Sequence, residues 1–180
     1  MKTSILAAAV IAGAMFGMAA GFVEPAQAAR DEPEKVARDV VEFDGTFEPG
    51  TVVIKTSERR LYYVLGSGKA IRYPVAVGSP QNQWFGETHV VRKRENPSWT
   101  PTPDQRSKKP SLPAYVAPGP KNPLGVRAIY LGWSAYRIHG TNAPGSIGRA
   151  VSGGCFRMLN ADVVDLFERV HVGAPVRVMR

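Results

Sequence analysis

The chain has 180 residues and a formal net charge of +8, from 23 Lys and Arg against 15 Asp and Glu. That length suits one domain, or at most two. A single cysteine excludes a disulfide framework and any multi-cysteine zinc or iron–sulfur centre, and 44% hydrophobic residues exclude a wholly disordered chain.

The first 28 residues read as an export signal. Lys2 supplies a basic start, Ser4 to Val23 is uncharged, Glu24-Pro25 breaks the run, and Ala26-Gln27-Ala28 offers the small residues that a signal peptidase reads. The rival reading is an uncleaved anchor, because a run of this length can span a bilayer. Its Ala and Gly content makes it weakly apolar and favours cleavage after Ala28. Beyond that point no apolar run approaches the roughly 18 residues of a membrane span, so no stable span is expected after cleavage. The remaining chain stays basic. Its Lys and Arg are scattered, which speaks against nucleic acid and fits either an anionic polymer or a plain soluble surface.

Residues 29–49 are expected to form a flexible tether, with one short strand near Val40 to Phe43. Residues 50–180 then form a single domain. Thr51 to Thr56 is almost wholly β-branched, Leu61 to Leu65 is aromatic and aliphatic, and Ile71 to Val77 continues as a third strand. Turns at Ser57-Glu58-Arg59 and Gly66-Ser67-Gly68 make these an antiparallel meander. Further strands are expected at His89 to Arg92, Arg127 to Leu131 and Ala135 to Ile138. Residues 94–124 hold 8 of the 15 prolines. A structureless stretch that long is usually functional or disordered, and a loop folding over a cleft is the preferred reading. Val163, Leu166, Phe167 and Val170 follow helical spacing, with Asn160 as the expected cap, Asp162 in the first turn, and Gly173 and Pro175 as the stop. Val176 to Met179 closes the domain as a strand. The class is mostly β, with one C-terminal helix and a long Pro-rich loop.

Cys155 is the most informative residue. A lone thiol in an exported protein is exposed to oxidation, so it is either buried and inert or chemically useful. Gly153-Gly154-Cys155 puts no bulky side chain before it, and such a turn can aim backbone N–H groups at one point, as an oxyanion needs. A nucleophilic thiol needs a base, because little of it is thiolate at neutral pH. His139 is the candidate, at the end of a strand and joined to residue 155 by a glycine-rich segment. His89 reads as one face of its strand and His171 as a helix-end residue. Three histidines this dispersed give no metal-ligand spacing, so no metal and no cofactor are expected. Trp84, Trp99 and Trp133 could line a cleft, although packing explains each singly.

The run His139-Gly140-Thr141-Asn142, Ser146-Ile147-Gly148 and Ser152-Gly153-Gly154-Cys155-Phe156-Arg157-Met158 resembles the signature of the L,D-transpeptidase catalytic domain, the YkuD-like family. Asn122-Pro123-Leu124-Gly125, Arg127 to Leu131, Val163 to Val170 and Gly173-Ala174-Pro175-Val176 extend it over about Gly50 to Met179. The resemblance implies a β-sandwich-like fold and peptidoglycan stem peptides as partners, in the periplasm or cell wall. It implies Cys155 as nucleophile, His139 as base and acid, and Ser152, Gly153 and Gly154 as the turn, with the N–H groups of Gly154 and Cys155 as oxyanion donors. It further implies Gly140 as the carbonyl orienting the imidazole, and Arg157, Thr141 and Asn142 as substrate contacts, with a structural ion pair the alternative for Arg157. Many members carry a histidine immediately before the Gly-Cys pair. Gly153 stands there in this chain, so a second imidazole is absent. The reaction implied is attack on a tetrapeptide stem, release of D-alanine and acyl transfer to a stem amine or to a wall-anchored protein. Water as acceptor would make an L,D-carboxypeptidase, and a dead site would leave a non-catalytic wall-binding module.

Overall fold

The computed structural model describes residues 38–132 and 135–180, so the expected export signal and Trp133 lie outside the described residues. Eleven strands organise this part of the chain. They are β1 (Asp39–Glu42), β2 (Val52–Lys55), β3 (Arg60–Gly66), β4 (Lys69–Pro74), β5 (Val77–Gly78), β6 (Gly86–Glu95), β7 (Arg127–Leu131), β8 (Arg137–His139), β9 (Ala150–Ser152), β10 (Phe156–Arg157) and β11 (Pro175–Met179). Two α-helices, α1 (Pro103–Lys108) and α2 (Asn160–Arg169), complete it.

The main strand order is β1-β4-β3-β2-β11-β6-β7-β8-β10, with β5 and β9 paired separately. The meander β2-β3-β4 is antiparallel, as its two turns require, and β1 adds to the edge of β4. β11 enters between β2, which it meets parallel, and β6, which it meets antiparallel. β6 belongs to both halves: Gly86 to His89 pair with β11, while Val90 to Glu95 pair with β7 across an irregularity between Val90 and Arg92. Such an irregularity bends a strand and sharpens its twist, which lets one strand pass from one sheet to the next.

Val52, Val53 and Ile54 are all buried because β2 lies mid-sheet with both faces covered. Ile54, Leu61, Tyr73, Val90, Ile129, Ile138, Phe156, Leu166 and Val176 belong to one continuous core. Val163, Leu166 and Phe167 are the buried face of α2, which packs on β7 and β8. Burying one such side chain stabilises the fold by roughly 1.5–3 kcal/mol, so α2 anchors β7 and also β8, the strand on which β10 pairs.

Three local expectations change. The third strand stops at Pro74, because Ala76 turns to exchange two hydrogen bonds with Arg157 (2.9 and 3.0 Å). Asn160 does not cap α2: Leu159 occupies the cap position without a side-chain hydrogen bond, and the Asn160 amide reaches Thr141 instead. Residues 94–124 are not structureless. Thr102 and Gln105 form a reciprocal capping box that starts α1, and Trp99 bridges Val116 through hydrogen bonds of 2.9 and 2.8 Å. The buried Asn122 amide donates to the carbonyls of Pro97, Val116 and Ala117 and accepts from the Leu124 N–H. One side chain thereby ties both ends of the proline-rich segment together.

Candidate active site

The parallel pairing of β10 with β8 sets Phe156 opposite Ile138 and Arg157 opposite His139. Side chains alternate along a strand. Ile138 and Phe156 point into the core, so Arg137, His139 and Arg157 take the other face. Cys155, one residue ahead of β10, falls on that face level with Arg137. The register alone therefore gathers a thiol, an imidazole and two guanidinium groups.

The turn before β10 is shaped by its glycines and one serine. Gly154 has φ of +112°, where an L side chain is strained, and a Cβ there would lie 2.5 Å from the Tyr136 ring. The buried Ser152 hydroxyl accepts from the Gly154 N–H (3.1 Å) and donates to the Cys155 carbonyl (2.5 Å), which closes the turn. The Gly154 N–H is thus engaged by Ser152. Trp84 stacks on Tyr136 at 4.8 Å and 7°, and its indole N–H donates to the Gly154 carbonyl (3.0 Å). Gly153 is exposed, with nothing within 4 Å of a Cβ built on it.

His139 is buried, and its Nδ1 lies 2.6 Å from the Gly140 carbonyl oxygen. A carbonyl only accepts, so in the neutral ring Nδ1 carries the proton and Nε2 carries the lone pair. The loop behind it is packed tightly. Thr141 N–H donates to the Asn160 Oδ1 (3.1 Å), and Asn160 Nδ2 donates to the Thr141 carbonyl (3.0 Å). A Cβ on Gly125 or on Gly140 would sit 2.2 Å from that same Oδ1. Both glycines are therefore needed where three backbone segments meet.

Burial sets the electrostatics. It pulls the His139 pKa down to about 4, against the Gly140 hydrogen bond, with the charges of Arg157 and Arg137 adding to the fall. Burial also pushes the Cys155 thiol up, opposed by a hydrogen bond from the Arg137 backbone, by the charge and side chain of Arg137, and by the charge of Arg157. Both groups rest neutral at pH 7. The thiol itself donates to the Ala135 carbonyl at 3.8 Å.

The other expected contacts divide. Arg157 lies on the thiol's face and has no ion pair among the described residues. Asn142 is exposed and donates to the Lys121 carbonyl (2.9 Å), joining the end of the proline-rich segment to the turn after His139. Thr141 is buried, with its hydroxyl accepting from Ala143 N–H (3.0 Å), so it braces the loop. His89 and His171 are exposed, and His89 packs against Gly132 at the end of β7. Trp84 sits at the cysteine turn, while Trp99 belongs to the proline-rich segment. No cluster of three or more potential metal ligands occurs among the described residues, and no helix there is long and apolar enough to cross a membrane. Sequence reasoning missed Arg137, Tyr136 and the bracing role of Asn160. The only signal for Arg137 was its two-residue spacing from His139 on a strand.

Residues 49–178 match the L,D-transpeptidase catalytic domain family, YkuD, and the chain belongs to that family. It is 43% identical over 138 residues to the probable L,D-transpeptidase ErfK/SrfK of Escherichia coli, covering 71% of this chain and 43% of that protein. The putative L,D-transpeptidase in the ATP synthase subunits region of Fuscovulum blasticum is 42% identical, covering 76% of this chain and 72% of that one. The chain therefore spans less than half the length of the first relative and most of the second. Among solved structures, L,D-transpeptidase 3 of Mycobacterium tuberculosis shares the fold with a TM-score of 0.57, at 15% identity over 72% of this chain and 60% of that chain. The expectation of a mostly β L,D-transpeptidase fold holds.

Proposed function

We propose that this chain is an exported peptidoglycan L,D-transpeptidase, with residues 1–28 as export signal and a tether that ends before β1, because Asp39–Glu42 pairs with β4 as part of the domain. Cys155 is the nucleophile and His139 the base. The observation that carries this reading is the β8–β10 register, which gives the two residues one strand face, together with the 2.6 Å contact that commits Nδ1 to Gly140. Nε2 is then the nitrogen able to accept a proton.

The neutral resting state suits a step triggered by substrate. His139 takes the thiol proton as sulfur attacks the carbonyl carbon of the third stem residue. The bond from that carbon to the D-alanine nitrogen breaks, the imidazolium returns its proton to the leaving amine, and a thioester remains. An incoming amine attacks the thioester, gives a proton to His139 and restores the thiol. Arg137 and Arg157 favour the thiolate while it exists. The Cys155 N–H is the oxyanion donor of choice, because Ser152 already occupies the Gly154 N–H. A stem amine as acceptor gives a 3→3 cross-link, a protein amine gives anchoring, and water gives carboxypeptidase activity.

Purified protein mixed with tetrapeptide-stem muropeptides tests this by mass. The expected result is an acyl-enzyme on wild type with release of D-alanine, both lost in Cys155→Ser. Turnover that persists in Cys155→Ser would remove the nucleophile from the scheme, and an inert wild type would favour the wall-binding alternative.

A further inference from the structure

Several arginines that reach a neighbouring strand meet an acid there. Arg72 pairs with Asp39, Arg127 with Glu95, and Arg177 with Glu87. Arg137 and Arg157 are different: both lie on the face of the thiol, and neither has an ion pair among the described residues. The Nε of Arg137, like that of Arg127, is sealed from water and has no hydrogen-bond partner, but only Arg137 carries it on the thiol's face without an acid partner among the described residues. A buried donor left empty costs free energy unless something fills it. The Arg137 guanidinium is also held in place, with its central carbon 5.3 Å from the centre of the Tyr130 ring on the neighbouring strand. Arg157 is fixed through its backbone, which exchanges hydrogen bonds with Ala76 on the side away from β8.

We infer that Arg137 and Arg157 form a carboxylate seat beside Cys155, and that the seat takes the free terminal carboxylate of the residue that leaves. The inference rests on the transpeptidase reading and deepens it. In a tetrapeptide stem only the leaving nitrogen and one α-carbon separate the attacked carbonyl from that carboxylate. An anion so near the reacting carbon falls beside the sulfur, where the two cations stand. Planar guanidinium forks bind a carboxylate through paired hydrogen bonds, which a lysine cannot reproduce. A stem extended by another residue, or capped as an amide, brings a neutral group to the same place. The site then reads the end of a chain rather than its interior.

The test compares two donors, a tetrapeptide-stem muropeptide with a free C-terminal carboxylate and the same molecule with a C-terminal carboxamide. Wild type should favour the acid in kcat/KM by about 10- to 100-fold, the worth of a charge-assisted hydrogen bond or two. Arg137→Gln should collapse that ratio towards one, chiefly through KM for the acid, and Arg137→Lys should restore part of it. Binding of both peptides to Cys155→Ala, and to the double variant Cys155→Ala with Arg137→Gln, gives a readout independent of turnover and of correct chemistry. Acid preferred by Cys155→Ala and not by the double variant supports the seat even if wild type proves inert. Equal binding of acid and amide by Cys155→Ala, or a ratio unmoved by Arg137→Gln in a variant with a wild-type melting temperature, would overturn it.

Discussion

Two clusters of arginine lie on either side of the same core and are built in opposite ways. At α2, Asp165 accepts two hydrogen bonds from Arg169 (3.0 and 3.1 Å) and one from the Tyr73 hydroxyl (2.5 Å), with Arg38 3.8 Å away. Arg169, foremost, and then Tyr73 hold the Asp165 carboxyl below the ordinary carboxylate range, against the effect of burial. At β8 and β10, the cations face a neutral thiol and a neutral imidazole and meet no acid among the described residues. Charge satisfied within the fold is structural. Charge left open beside a thiol is available to a ligand.

The sharpest way to break that contrast is to remove the base. His139→Ala should lower D-alanine release by about 10²- to 10⁴-fold, the usual range for a positioned acid–base group, while the lost ring leaves a cavity and an unpaired Gly140 carbonyl that together cost about 1–3 kcal/mol of stability. Stopped single-turnover measurements by mass would read it. Next comes the turn. Gly154→Ala forces a side chain into φ of +112° and against Tyr136, so a loss of about 3 kcal/mol is expected in urea unfolding. A wild-type midpoint would show that the turn relaxes freely.

The acid response separates the two clusters by pH. The His139 pKa is about 4 in the fold and 6.5 as the reference value. The unfolded chain therefore binds more protons between those values, and stability is lost as pH falls from 6.5 towards 4. The upper bound is about 3 kcal/mol. His139→Gln should flatten that slope in denaturant midpoints taken from pH 7 to pH 4.5. Asp165 has a lowered pKa, so its contribution is complete above the ordinary Asp range and disappears at lower pH than most of the His139 loss. The smallest effect belongs to the α2 cluster at neutral pH. Asp165→Asn should cost about 1–2 kcal/mol of stability and leave kcat at the wild-type level. A change in kcat would tie the two clusters together.

Much of the fold was legible because its signals are local. Thr51 to Thr56 and Leu61 to Leu65 are strands by composition and hairpin partners by their short turn. The helix at 160–169 is written in the spacing of Val163, Leu166 and Phe167. The Cys155 and His139 motif was legible as a resemblance and as a lone thiol with a candidate base. What escaped depends on contacts distant in the chain. Arg137 gains meaning only once β10 lies parallel to β8, a pairing between short segments that no periodicity encodes. Asn160 looked like a helix cap because its type and place suit one. The carbonyl and N–H of Thr141 compete for the same amide and win. Asn122 sits among prolines with no hydrophobic rhythm around it, yet it closes a segment that otherwise reads as shapeless.

The strand shared by the two sheets has a mechanical consequence. Because β6 is bonded to β11 along one half and to β7 along the other, there is no seam along which one sheet can slide over its neighbour without rupturing a continuous backbone. Any ligand that reaches the sulfur must then be accommodated by the loops at the rim, over a platform that stays still.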